Sequence, residues 1–147
     1  IPGGPSTAVI PASVMETVTM DYDGLSKARS SLGAGSMIVM DDSTCMVKAL
    51  HRLSYFFYEE SCGQCTPCRE GTGWVYRVLD RIIKGQGKME DLDLLTDISK
   101  NISGRTICAL GEAAATPVIS FIKHFRAEFE YYIEHGKSMV DSKAEQG

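Results

Sequence analysis

Three histidines, one tryptophan and no long apolar run mark this chain by scarcity. No stretch approaches the ~18–20 apolar residues of a membrane-spanning helix, so any membrane association is expected to run through partners. Lysine, arginine and the acidic residues are interspersed, with a net charge of −4. That leaves no basic stripe for a phosphate backbone, and no nucleic-acid partner is expected. No methionine opens the sequence, which begins Ile-Pro-Gly-Gly-Pro-Ser, and nothing resembling a secretory signal follows. A fragment or processed product is therefore expected. No internal repeat is visible. With 147 residues, 44 % of them hydrophobic, there is material for one modest core, or one core with a small appendage.

What the chain does have is cysteine in a pattern. Cys62, Cys65 and Cys68 stand three apart in Glu-Ser-Cys-Gly-Gln-Cys-Thr-Pro-Cys-Arg-Glu-Gly, and Cys108 follows in Thr-Ile-Cys-Ala-Leu-Gly. Four thiolates so spaced can surround a cubane [4Fe–4S] cluster, which makes electron transfer the leading function. A structural zinc site in an interaction module is the main rival. Zinc ligands, however, usually arrive as two separated C-x₂₋₄-C pairs, and Cys108 has no nearby cysteine or histidine partner. A disulfide framework is disfavoured by the odd count of five cysteines. Two-cluster ferredoxins carry a further cysteine four positions after the third; here that position is Thr72, so one cluster is expected. Cys45 is the spare, read as a small buried hydrophobe rather than a ligand. Thiolate clusters and free thiols both suit a reducing compartment.

The texture of the chain changes near residue 42. Residues 1–41 are rich in Gly, Ser and Pro. Residues 14–20 and 36–40 read as strands, with a short helix around 24–31 between them and Gly3-Gly4 as a turn. This is too little for an independent core, and reads as the remainder of a larger α+β domain. From residue 43 to about 136 the apolar period is helical. A first helix, capped by Ser43 or Thr44, should run to about Glu59. A second follows the cysteine hairpin and stops at Gly85-Gln86-Gly87. A third ends near Gly104, and a fourth starts with Thr116 as cap and Pro117 in the first helical position. The fold class is mainly α, a four-helix bundle. Its Phe, Tyr and Met residues are expected mostly in the core. Trp74 is expected there too, ahead of the alternative that it shields a cluster. Residues 137–147 read as a flexible polar tail.

Within the hairpin, Pro67 restricts the turn that aims the sulfurs inward, and Gly63 lets backbone come close to an inorganic group. Cys68 is expected at the start of the second helix, and Cys108 ahead of a short Ala-rich segment. Helix N-termini there would favour thiolate over thiol. Arg69 and Arg105 are candidates for added positive charge.

These two cysteine stretches, continued by Ala-Leu-Gly-Glu-Ala-Ala-Ala-Thr-Pro, resemble the flavin-bearing, NADH-oxidising subunit of respiratory complex I, an NADH-quinone oxidoreductase. Ile-Pro-Gly-Gly-Pro-Ser-Thr and Met-Ile-Val-Met-Asp-Asp-Ser-Thr also look like that family. The resemblance implies that residues 1–41 are the latter half of a β-grasp domain and 43–136 the iron–sulfur domain. It implies Cys62, Cys65, Cys68 and Cys108 as the four cluster ligands, accepting electrons singly after NADH has reduced FMN. It further implies two partners in the peripheral arm of the complex, a small [2Fe–2S] subunit and a large iron–sulfur subunit. The location implied is the cytoplasmic side of a bacterial inner membrane or the mitochondrial matrix side. One departure stands out: no strand, Gly-rich turn and helix for FMN or NAD is present, so NADH catalysis is not expected from these residues alone. The runner-up resemblance is to diaphorase subunits of NAD-linked hydrogenases and formate dehydrogenases.

Overall fold

From Met46 onward each stretch with apolar residues at three- and four-residue intervals is a helix. The computed structural model describes residues 1–144. In chain order, α1 (Ala12–Met15) and α2 (Tyr22–Lys27) are short, and four long helices follow: α3 (Met46–Glu60), α4 (Thr66–Ile83), α5 (Glu90–Ile102) and α6 (Leu110–His135). A last short helix, α7 (Met139–Ala144), ends the described chain. Helix α3 packs on α4, α4 on α5, α5 on α6 and α6 back on α3, with α4 also meeting α6 across the interior. Val47, Leu50, Leu79, Ile82, Leu92, Leu95, Phe121 and Phe129 are fully enclosed there. Each such burial is worth about 1.5–3 kcal/mol, and this apolar interior is the main force closing the helices on one another. A carboxylate adds a tether at one corner. Buried Asp91 accepts from the Lys88 amide at 2.9 Å and pairs with Arg81, joining the end of α4 to the start of α5.

Several expectations need correction. The strands at 14–20 and 36–40 are not formed, and among the described residues the only β pairing is a single antiparallel bridge between Pro2 and Met37. Beside it, Ile38 and Ile1 exchange backbone bonds. Pro2 has no N–H and the following residues turn away, with Thr7 bonding back to the Gly4 carbonyl, so the ladder stops. Around Val14 no neighbouring strand offers partners. Local bonds win instead, from Val14 and Met15 to the Pro11 carbonyl. The β-grasp half expected for residues 1–41 is thus not seen. Ile1 and Val9 join the same core as the helices, and the Val9 amide donates to Ser120 Oγ at 3.1 Å.

The first long helix is not capped by Ser43 or Thr44. Their hydroxyls donate to Asp41 Oδ1, at 2.6 and 3.1 Å, in a turn that precedes the helix. Cys45 takes the cap position without a side-chain bond, and the Met46 amide donates to Glu128 of α6 at 3.3 Å. The fourth helix starts at Leu110, six residues before the expected cap, and Pro117 lies inside it. Proline removes one intrahelical bond. Burial of Gly111, Ala114, Ala115, Pro117 and Val118 along this stretch outweighs that loss, while Thr116 turns its hydroxyl to the Glu112 carbonyl. The expected tail is partly ordered: Ser138 is buried and 139–144 is helical, while 145–147 lie outside the described residues. Tyr55, Phe56, Tyr58 and Trp74 are surface residues rather than core.

The cap assignment can be tested directly. Glu128→Ala should lower unfolding stability by about 1 kcal/mol, seen as a lower urea midpoint at unchanged slope. Ser43→Ala should stay within about 0.5 kcal/mol. A larger loss from Ser43→Ala would return the cap to the position read from the sequence.

Candidate metal centre

Helix α3 ends at Glu60, and Ser61 is extended, so the chain leaves the helix directly into the first cysteine. Gly63 then turns at φ +77°, a conformation that a side chain would strain. Its carbonyl accepts from Arg69 Nη1 at 3.0 Å, and its amide donates to Ser61 Oγ at 3.4 Å. Cys65 is the N-cap of α4, and Cys68 is the third residue of that helix. Pro67, at the second, costs nothing there because early helical amides have no intrahelical partner. Arg69 therefore closes the hairpin back onto the helix, with its charge shared with Glu70 at 2.9 Å. Ser61 Oγ also lies 3.3 Å from Cys68 Sγ.

The second cysteine segment runs from the end of α5 to the start of α6. Glu112, the third residue of α6, accepts from Ser103 Oγ at 2.7 Å and from the Gly104 amide at 2.9 Å. Thr106 Oγ1 donates to the Cys108 carbonyl at 2.9 Å. The decisive contact crosses between the segments: the Ile107 amide donates to Cys65 Sγ at 3.4 Å. The hairpin and the loop carrying Cys108 are thereby brought together, between the starts of α4 and α6. All four cysteines are free thiols: Cys68 is buried, Cys65 half-buried, Cys62 and Cys108 exposed. The Arg105 guanidinium donates to Asn101 Oδ1 at 2.7 Å.

Two features bear on what the site can hold. The first turn of α4 contains no acidic residue, whereas that of α5 contains Glu90, Asp91 and Asp93. The partial positive charge of the α4 start is thus left for an anion. In addition, the Ile107 amide is directed at one of the sulfurs. A tetrahedral zinc site needs its sulfurs within about 2.3 Å of one atom. A four-iron cluster takes one thiolate per iron and spreads them around its faces. Cysteine sulfurs near two helix starts, with an amide directed at one of them, are a donor set that suits a four-iron cluster.

Cys45 stands apart. It precedes α3 while Cys62 follows it, and 15 helical residues at ~1.5 Å each separate them by roughly 22 Å. It cannot reach the site. Trp74, 50 % exposed, lies in a groove between α4 and α5 with Pro67, Leu94 and Ile98, and is not part of the core. Sequence reasoning missed Ser61, Glu112 and the Ile107 amide. Glutamate three residues into a helix is a readable signal, but the late start assigned to the fourth helix concealed it.

Residues 48–132 match the family described as NADH-ubiquinone oxidoreductase-F iron–sulfur binding region. The chain is 55 % identical over 134 residues to the F-type subunit of NADH-quinone oxidoreductase from Rickettsia bellii, covering 91 % of this chain and 32 % of that protein. It is 51 % identical over 138 residues to the corresponding protein of Rhodobacter capsulatus, covering 94 % and 32 %. To the mitochondrial NADH dehydrogenase [ubiquinone] flavoprotein 1 of Dictyostelium discoideum it is 52 % identical over 130 residues, covering 88 % and 27 %. The chain thus spans about a third of the length of these relatives. Among solved structures, an NAD+-reducing [NiFe]-hydrogenase in the H2-reduced state superposes with a TM-score of 0.75 at 26 % identity, covering 94 % of this chain and 23 % of that one.

Serine substitution separates ligands from bystanders. Cys62→Ser, Cys65→Ser, Cys68→Ser and Cys108→Ser should each strip or greatly weaken iron binding, while Cys45→Ser should leave iron content and the reduced-state EPR signal intact. Retention in Cys108→Ser together with loss in Cys45→Ser would refute this ligand set.

Proposed function

Because the chain belongs to the NADH-ubiquinone oxidoreductase-F iron–sulfur binding region family, we propose that Cys62, Cys65, Cys68 and Cys108 hold a [4Fe–4S] cluster. The cluster passes electrons one at a time within an NADH-quinone oxidoreductase. The observation that carries this reading is the Ile107 amide on Cys65 Sγ, which joins two cysteine segments 42 residues apart. A bound cluster supplies reversible one-electron acceptance at a potential set by its surroundings. The chain supplies the rest. Cys65 and Cys68 stand at the start of α4, and Cys108 lies just ahead of α6. Arg69 and Ser61 hold the hairpin in its turn, and Glu112 holds the loop opposite.

NADH oxidation and FMN binding are assigned to parts of the longer relatives outside these residues. No Gly-rich turn here follows a strand and opens a helix, which is how a pyrophosphate is usually received. The hydride chemistry belongs to the flavin, and this chain's share is to hold an electron acceptor near it. The partners proposed are the small [2Fe–2S] subunit and the large iron–sulfur subunit, in a peripheral arm on the cytoplasmic or matrix side. No helix of the described residues is long and apolar enough to cross a membrane. A diaphorase of an NAD-linked hydrogenase is the second reading, favoured by the structural likeness to such an enzyme. The identity there is 26 %, against 51–55 % for the bacterial NADH-quinone oxidoreductase relatives, and that difference supports the NADH-quinone oxidoreductase reading.

Anaerobic reconstitution with iron and sulfide should load about four irons per chain and give broad visible absorbance that dithionite bleaches. NADH, with FMN supplied, should neither bleach it nor drive ferricyanide reduction. Robust NADH–ferricyanide turnover would overturn the division of labour, and stoichiometric zinc in place of iron would overturn the cluster. Loading should also raise the thermal midpoint and protect residues 60–73 from protease, since metal binding in a helical unit of this size contributes to folding. Identical melting of loaded and iron-free protein would count against that coupling.

A further inference from the structure

We propose that Glu112 is a positioning residue that sets the reduction potential of the cluster, by holding residues 103–109 where the Ile107 amide meets Cys65 Sγ. This role rests on the cluster reading. None of residues 103–109 is buried, and Ile107 is 87 % exposed. The loop therefore has no apolar anchor, and its polar contacts place it. A glutamate at this helical position ordinarily reaches back to the N-cap amide. Here the cap residue Ala109 has no side-chain bond, and the carboxylate reaches Ser103 and Gly104, nine and eight residues earlier. The loop is closed into a ring with Ser103 at one end and Glu112 at the other.

Inside the ring the geometry is tight. Thr106 donates to the Cys108 carbonyl and packs over Gly111, where an added Cβ would sit 2.5 Å from Thr106 Cγ2 and Oγ1. Cys108, the Ile107 amide and Glu112 thus move as a unit. An N–H directed at a ligand sulfur stabilises the more negative, reduced state, and such bonds are a main control on cluster potential. Releasing the loop should therefore lower the potential. Removing the glutamate charge alone acts oppositely, because one negative charge fewer makes reduction easier. The two effects can be separated.

Glu112→Gln and Glu112→Ala are both neutral, but glutamine keeps an oxygen for the Gly104 amide and a second polar atom for Ser103. The measurement is an EPR-monitored redox titration of the reconstituted chain, with iron content determined in parallel. Glu112→Ala should titrate below Glu112→Gln by roughly tenfold in the reduction equilibrium, about 59 mV for one electron. Its reduced-state EPR lines should also shift or broaden. Glu130→Gln, which removes a charge from the same helix where Glu130 pairs with Arg126, is the reference and should match the unaltered protein. Iron loss in Glu112→Ala with retention in Glu112→Gln would equally support positioning. Equal potentials in the two variants, or equal loss of iron from both, would overturn it. Failure of the cluster reading would show differently, as Cys108→Ser retaining full iron and an unchanged spectrum.

Discussion

Everything at the cysteine end depends on two helix starts being held side by side. Helix α3 returns as α4 after a five-residue hairpin, residues 61–65, and α5 returns as α6 across residues 103–109. The apolar interior packs these pairs against each other. Bringing together segments 42 residues apart costs entropy that grows only logarithmically with loop length. Burial of side chains such as Leu79, Leu95 and Phe121 readily offsets it. The cysteines themselves do little of this work. They lie where the core has already placed the ends of the helices.

The rim is built by different means from the interior. Inside, shape and apolar area decide; at the cysteine end, polar side chains reach short distances to backbone groups. Arg69 holds Gly63, Ser61 bridges Gly63 and Cys68, and Glu112 holds Ser103 and Gly104. Such contacts fix direction better than they add stability, since each nets only about 1 kcal/mol. Direction is what an electron-transfer site requires. In the proposed function the exposure of Cys62 and Cys108 leaves that end open to a partner. The acid-free first turn of α4 leaves its field available to an anionic group.

The sequence by itself determined the four long helices, since each apolar stripe repeats at helical spacing and must be buried on one side. It also carries the reading proposed for the site. Three cysteines at a spacing of three, with a fourth far along the chain, suit few inorganic groups other than a multi-iron cluster. Cys45 could be set aside on its local setting, and the length of α3 then puts it out of reach. What only the tertiary structure decided is where elements begin and what holds them. Thr116-Pro117 carries a strong local start signal, yet α6 begins at Leu110 because burial of its small residues outweighs one missing amide. Thr44 is a good cap in isolation, but Asp41 takes its hydroxyl and Glu128, 82 residues away from Met46, takes the helix amide. Residues 36–40 read as a strand, but strand formation depends on a neighbour, and Pro2 ends the only pairing offered among the described residues. Periodicity is a property of the chain, whereas a cap, a ladder or a clamp is completed by a second group that only folding brings near.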